Sequence, residues 1–132
     1  MNIKTLIVDD ERLARQELKT ILQPLSGIEV IGESGNAEEA LEMIDKLQPD
    51  LLLLDIQMPG KTGFELLESL EGKAPEVVFV TAYDEYALKA FEVNALDYVL
   101  KPVEESRLQS VIEKIQSKIR DRASSESSEA HG

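Results

Sequence analysis

The sequence predicts one α/β domain, a five-stranded parallel sheet with helices on both faces. Three observations predict it. Five short apolar runs of strand length alternate with five amphipathic helical patterns. Three of the runs are apolar on consecutive residues, as strands are when both faces are covered. The chain of 132 residues is long enough for one domain that buries its own core. Strands and helices in strict alternation call for parallel pairing through right-handed crossovers.

The first strand centres on Leu6-Ile7-Val8. Ala14, Leu18, Ile21, Leu22 and Leu25 then step at helical spacing. Strand two is Val30-Ile31, and Gly32 either interrupts it or marks its end. Helix two carries Ala37, Ala40, Leu41, Ile44 and Leu47, and Asn36 with Glu39 forms a capping box at its start. Pro49 punctuates the approach to strand three, Leu51-Leu52-Leu53-Leu54. Thr62 with Glu65 opens helix three, whose stripe is Phe64, Leu67 and Leu70. Pro75 precedes strand four, Val77-Val78-Phe79-Val80. Helix four is the weakest pattern, with Ala87, Ala90 and Phe91 facing inward and Asp84 as its N-cap. Strand five is Tyr98-Val99-Leu100, and the last helix carries Leu108, Val111, Ile112, Ile115 and Ile119. From Asp121 onward no large apolar residue occurs, so residues 121–132 read as a mobile polar tail or the start of a linker. Residues 1–120 read as the folded domain.

Composition narrows the function. There are 14 Lys and Arg against 26 Asp and Glu, a net charge of −12. Such a chain lacks the clustered cations that grip nucleic acid or an anionic membrane, and suits a basic partner or a cation. It has no Cys, which rules out disulfides, zinc–thiolate sites and thiol catalysis. No apolar run approaches the roughly 20 residues of a transmembrane helix, and Met1 to Asp10 lacks the pattern of a signal peptide. The expectation is a soluble, cytoplasmic protein.

In a parallel sheet, ligands bind beyond the carboxyl ends of the strands. Strand one is followed by Asp9, Asp10 and Glu11; strand three by Asp55, then Gln57-Met58-Pro59-Gly60; strand four by Thr81 and Ala82; strand five by Lys101 and Pro102. Strand two is followed only by Glu33, Ser34 and Gly35. It therefore belongs at an edge beside strand one, which then also neighbours strand three. Carboxylates crowded on one rim repel, and a hard divalent cation is the natural compensator. Magnesium takes one or two carboxylates and fills other positions with water and phosphate oxygens. Lys101 adds a second positive point. No Gly-rich phosphate loop or dinucleotide fingerprint is present. Asp55, at the end of a central strand, is the carboxylate placed to form an acyl phosphate.

These residues carry a resemblance. Asp9-Asp10, Asp55 within Leu54-Asp55-Ile56-Gln57-Met58-Pro59-Gly60, Thr81-Ala82, Tyr98 and Lys101-Pro102 resemble the signals of a response-regulator receiver domain of two-component systems, over about residues 2–120. The stretch from Thr81 to Phe91 and Ala95 to Pro102 is most similar to receivers of LytTR-type transcription regulators. The resemblance implies a flavodoxin-like (βα)5 three-layer sandwich of strand order 2-1-3-4-5.

The resemblance also implies roles. Asp55 is the phosphoacceptor, fed by a sensor histidine kinase. Asp10 is a direct ligand of magnesium, for which manganese can substitute, and Asp9 a more indirect one. Asp55 and the main-chain carbonyl of Gln57 complete the set. Thr81 is the switch hydroxyl, Tyr98 the switch aromatic, Lys101 the phosphate-pairing cation, and Lys101–Pro102 a cis bond. Such a domain is a phosphoacceptor that assists its own modification, not an enzyme. It switches the face of helix four, strand five and helix five, and so controls homodimerisation or an effector DNA-binding domain, here absent. Direct nucleic-acid or membrane contact is not implied. Plainer roles exist: Asp55 as a loop cap, Asp9 and Asp10 as caps of helix one, Lys101 as a solvated cation, Tyr98 as a half-buried strand residue.

Three rivals compete. A haloacid-dehalogenase-like magnesium phosphatase also uses an Asp after a strand, but would want a second acid two residues on, where Glu11 has the wrong length. A flavodoxin-like electron carrier needs a Ser, Thr and Gly-rich first loop, where this chain has Asp-Asp-Glu. A phosphorylation-independent docking module would not need the acidic set with Lys101.

Overall fold

The computed structural model describes residues 2–70 and 75–131, with side chains described as far as Asp121. The elements are β1 (Ile3–Val8), α1 (Arg12–Leu22), β2 (Ile28–Ser34), α2 (Ala37–Leu47), β3 (Leu51–Leu54), α3 (Gly63–Glu68), β4 (Glu76–Thr81), α4 (Ala87–Glu92), β5 (Asp97–Leu100) and α5 (Glu105–His131). All strand pairs are parallel, in the order β2-β1-β3-β4-β5. This is the flavodoxin-like three-layer arrangement, with β2 at the edge and β3 at the centre.

Alternation along each strand divides the core in two. Leu6, Val8, Leu52, Leu54 and Phe79 point to one face, where α2, α3 and α4 cover them. Ile7, Leu51, Leu53, Val78, Val80 and Val99 point to the other, against α1 and α5. All four leucines of β3 are buried, which is why that run shows no polar alternation. Each such side chain contributes about 1.5–3 kcal/mol of burial.

Local chemistry sets the boundaries. Thr62 forms a full capping box: its hydroxyl accepts from the Glu65 N–H at 3.2 Å, and Glu65 accepts from the Thr62 N–H at 3.0 Å. Asn36 forms only half of one. Its side chain accepts from the Glu39 N–H at 2.9 Å, while its own N–H turns to the Ser34 hydroxyl at 3.3 Å. Gly32 lies inside β2, beside a register shift in which Thr5 pairs with Val30 and Leu6 with Gly32. A Cβ there would sit 2.5 Å from the Met43 methyl, so the glycine leaves room for the tip of that side chain against the sheet.

Three expectations need correction. Asp84 is not the N-cap of α4; Tyr86 is, with no side-chain cap bond. Phe91 and Ala87 do not face inward: Phe91 is 79% exposed and Ala87 is exposed as well. The helix has only six residues, and Ala90 with the Tyr86 ring fills the space above the sheet, so Leu88 and Phe91 turn outward. Finally, the backbone of α5 runs on as helix to His131, through the residues expected to form a mobile polar tail or linker from Asp121. The apolar stripe ends at Ile119, but residues 121–131 contain no Pro or Gly to stop the turn. Among the described residues no helix is long and apolar enough to cross a membrane.

One ion cluster fastens α5 to the sheet. Arg107 donates to both oxygens of Asp97 at 3.0 and 2.7 Å and to the Tyr98 carbonyl at 3.0 Å; Lys114 adds a bond to Asp97 at 3.2 Å. Burial pushes the Asp97 carboxyl up, but the bonds from Arg107, the Tyr98 N–H and Lys114 outweigh it and hold it below its ordinary 3.8. A depressed carboxyl stabilises the fold above its unfolded value and loses that contribution as pH falls through the folded one. Asp97→Asn is therefore expected to cost about 1–2 kcal/mol near neutrality. In denaturant titrations the wild-type advantage should hold down to about pH 5 and shrink below 3.8.

Candidate functional site

The parallel register aligns the carboxyl ends of four strands. Val8 pairs with Leu54, Leu54 with Phe79, and Thr81 with Leu100. The ladder continues one residue further: Asp9 N–H donates to the Ser34 carbonyl at 3.0 Å, Asp55 N–H to the Val8 carbonyl at 2.9 Å, and Lys101 N–H to the Thr81 carbonyl at 2.8 Å. Asp9, Asp55 and Lys101 are thus the first residues past their strands, pinned by main-chain bonds.

Their side chains converge. Carboxylate oxygens of Asp9, Asp10 and Asp55 lie within 4.8 Å of one another. Asp9 is 1% and Asp55 5% exposed, while Asp10 is open to solvent. The Lys101 ammonium donates to Asp9 at 2.8 Å and to Asp55 at 3.2 Å, and lies 3.9 Å from Glu11. The second Asp9 oxygen accepts from the Glu11 N–H at 2.9 Å. The second Asp55 oxygen accepts from the Ile56 N–H at 2.7 Å. Every carboxylate of the buried pair is therefore oriented before anything binds. With all groups ionised, three carboxylates and one ammonium leave two surplus negative charges, which a divalent cation matches.

Burial dominates the titration of Asp9 and raises its carboxyl, although the Lys101 bond, the Glu11 N–H and the Lys101 charge oppose it. Burial likewise acts to lower Lys101, but the bond to Asp9 and the charges of Asp55 and Asp9 outweigh it and raise the ammonium. Lys101 therefore stays charged throughout the neutral range, while burial makes the Asp9 carboxylate easier to protonate than an exposed aspartate.

Thr81 is fully buried at the end of β4, and its hydroxyl accepts a long bond of 3.4 Å from the Tyr83 N–H. Tyr98 packs against the core beside Phe79, ring centroids 6.4 Å apart, and its hydroxyl donates to the Tyr83 carbonyl. The expected switch aromatic is thus already drawn against the β4–α4 loop. The Lys101–Pro102 peptide is cis. The Gln57 side chain is exposed and does not join the acidic cluster; it donates to the Tyr86 hydroxyl at 2.6 Å.

Two contributors escape a reading of the sequence. The Arg15 guanidinium donates to the Asp9 carbonyl at 2.7 Å and pairs with Glu33 at 2.9 Å, so it braces the first acidic turn against β2. The signal was the basic pair Arg15 and Lys19, four residues apart, both of which engage Glu33. Gly63 is the second. A Cβ there would lie 2.5 Å from the Asp55 carbonyl oxygen, and its N–H donates to the Ile56 carbonyl at 2.9 Å. Only glycine lets α3 begin this close to the backbone that carries Asp55.

This arrangement of a parallel sheet with an acidic rim and a bridging lysine defines a class. The response regulator receiver domain model matches residues 5–113, and the chain belongs to that family of two-component systems. Its relatives include the transcriptional regulatory protein BtsR of Salmonella typhi, 52% identical over 114 residues, which cover 86% of this chain and 48% of BtsR. They also include the sensory transduction protein LytT of Bacillus anthracis, 49% identical, covering 85% of this chain and 46% of LytT. Among solved structures, the response regulatory domain of MrkE from Klebsiella pneumoniae superposes with a TM-score of 0.82 at 34% identity, covering 89% of this chain and 98% of that one. The chain spans about half the length of the curated relatives it matches.

Proposed function

We propose that this domain accepts a phosphoryl group on Asp55 from the phosphohistidine of a sensor kinase, and that the transfer depends on magnesium. The observation that carries the reading is the buried Asp55 carboxylate, held 3.2 Å from the Lys101 ammonium beside Asp9 and Asp10. Asp10, Asp9, Asp55 and the main-chain carbonyl of Gln57 are the groups that would hold the ion, with manganese as a substitute. Bound there, magnesium neutralises the carboxylates and the phosphoryl oxygens.

An Asp55 oxygen forms the new bond to phosphorus while the phosphorus–nitrogen bond breaks and the imidazole departs with its electron pair. The second Asp55 oxygen stays on the Ile56 N–H, which fixes the attack direction. Lys101 exchanges its bond to Asp55 for one to a phosphoryl oxygen, and keeps Asp9. The Thr81 hydroxyl, lightly held by the Tyr83 N–H, turns to donate to the same group. Hydrolysis by water later restores the carboxylate. The domain is thus consumed and regenerated as a substrate rather than acting as an enzyme.

The signal leaves through the β4–α4 loop, which Thr81 begins and Tyr98 touches. The face of α4, β5 and α5 is the output surface. Leu88, Phe91 and Leu100 stand exposed on it, at 71%, 79% and 46%. Its proposed occupants are a second copy of the chain or an effector domain. Phe91→Ser is expected to leave phosphorylation intact and remove phosphorylation-dependent dimers in sedimentation velocity. Residues 1–120 act as the receiver, and residues 121–132 lead toward an effector DNA-binding domain. The roughly twofold greater length of BtsR and its description as a transcriptional regulatory protein support a further domain and a role in transcription control.

Asp10→Ala tests the metal assignment. Calorimetric titration is expected to show magnesium affinity reduced at least about tenfold, with labelling by acetyl phosphate lost in parallel. An unchanged titration would move the ion elsewhere.

A further inference from the structure

Two loops are joined by one side-chain hydrogen bond that the transfer chemistry leaves unused. Gln57 stands two residues past Asp55, and its amide donates to the Tyr86 hydroxyl at 2.6 Å, 29 residues further along the chain. Tyr86 is the N-cap of α4; its carbonyl accepts from the Ala90 N–H at 2.9 Å, but its side chain makes no cap bond to that helix. Its ring is seated rather than free: 6.1 Å from the Phe64 centroid and edge-on to Tyr83 at 6.2 Å. The hydroxyl is therefore a fixed post, and the flexible Gln57 side chain is the part being held. On its other side the same loop is held by the Tyr98 hydroxyl at the Tyr83 carbonyl.

We infer that Tyr86 is a positioning residue for the acidic site. Its hydroxyl orients the Gln57 peptide and so ties the order of that peptide to the first turn of α4. The inference rests on the proposed role of the Gln57 carbonyl in holding magnesium. The tie has a consequence required by linkage: whatever α4 does to the Gln57 peptide, an ion on that peptide must do to α4. The output helix and the cation are thereby coupled before any phosphoryl group arrives, through a bond that does not involve Thr81.

Tyr86→Phe deletes the post and keeps the ring against Phe64, so the fold is retained. Magnesium chloride titrated calorimetrically into the full chain, with no phosphodonor, is expected to bind two- to fivefold more weakly, the effect of one exposed hydrogen bond. Gln57→Ala is expected to weaken it similarly, and the double variant no further, because both substitutions delete the same bond. Amide exchange at Ala90, whose N–H closes the first turn of α4 on the Tyr86 carbonyl, is expected to slow on magnesium addition in the wild type and not in Tyr86→Phe. A purely structural tyrosine would give additive losses and leave that magnesium response in place, and either result would overturn the inference. If wild-type chain itself binds no magnesium, the proposed site fails and the inference with it. If wild type binds and Tyr86→Phe matches it, only the inference fails.

Discussion

Asp55→Asn is expected to gain no phosphoryl group from acetyl phosphate and magnesium while keeping its fold. The asparagine carbonyl can still accept from the Ile56 N–H, which the Asp55 oxygen does at 2.7 Å. Its amide group replaces the oxygen 3.2 Å from Lys101, and the lysine retains Asp9 at 2.8 Å. Stability should therefore shift by only about 1 kcal/mol, the scale of one hydrogen bond. The chemical effect is total, because an amide cannot form the acyl phosphate. One of the three carboxylates proposed to hold magnesium is also lost, so magnesium affinity is expected to fall at least about tenfold. A variant that labelled at the wild-type rate would mean another residue is the acceptor.

Lys101→Met is expected to have the largest effect on stability. It leaves Asp9 and Asp55, both buried, without their cation. Removing one partner from a buried ion pair costs on the order of 3 kcal/mol. The sign of the pH dependence comes from the two shifts. Lys101 is raised, so its stabilising contribution is complete below its ordinary 10.5 and disappears only as pH climbs through the higher folded value. Asp9 is also raised, so folding favours its protonated form; without Lys101 that preference strengthens. The variant should therefore melt well below wild type at pH 7 and recover part of the loss toward pH 4. Magnesium should raise its melting temperature more than that of the wild type, because the ion no longer competes with a lysine. Equal melting temperatures at pH 7 in chelator would show that the ammonium does not hold the carboxylates.

The fold was legible because the sheet imposes its own code. Leu51 to Leu54 is apolar without alternation only because helices cover both faces. Strand two is marked as the edge by the lack of a reactive group at its carboxyl end, where only Glu33, Ser34 and Gly35 stand. The convergence of Asp9, Asp55 and Lys101 was legible for the same reason. Each is the first residue after a strand, and parallel register brings those positions to one rim. The details that escaped depend on side chains choosing among tertiary neighbours. Ala87, Ala90 and Phe91 have helical spacing, yet six residues make too short a helix for spacing to decide which side faces in. Gln57 and Tyr86 are 29 residues apart, and nothing local announces their bond. Gly63 reads as an ordinary helix start until the Asp55 carbonyl is seen against it. The helical backbone of residues 121–131 shows the converse: composition without large apolar residues speaks to the core, not to whether a turn continues.

Intact-mass measurement of the full chain after acetyl phosphate and magnesium, with peptide mapping of the product, bears most directly on the convergent acidic site. The expected result is a mass gain of one phosphoryl group per chain, dependent on magnesium and confined to Asp55. No gain, a gain mapped to another residue, or continuous release of phosphate without an acyl phosphate on the protein would contradict it.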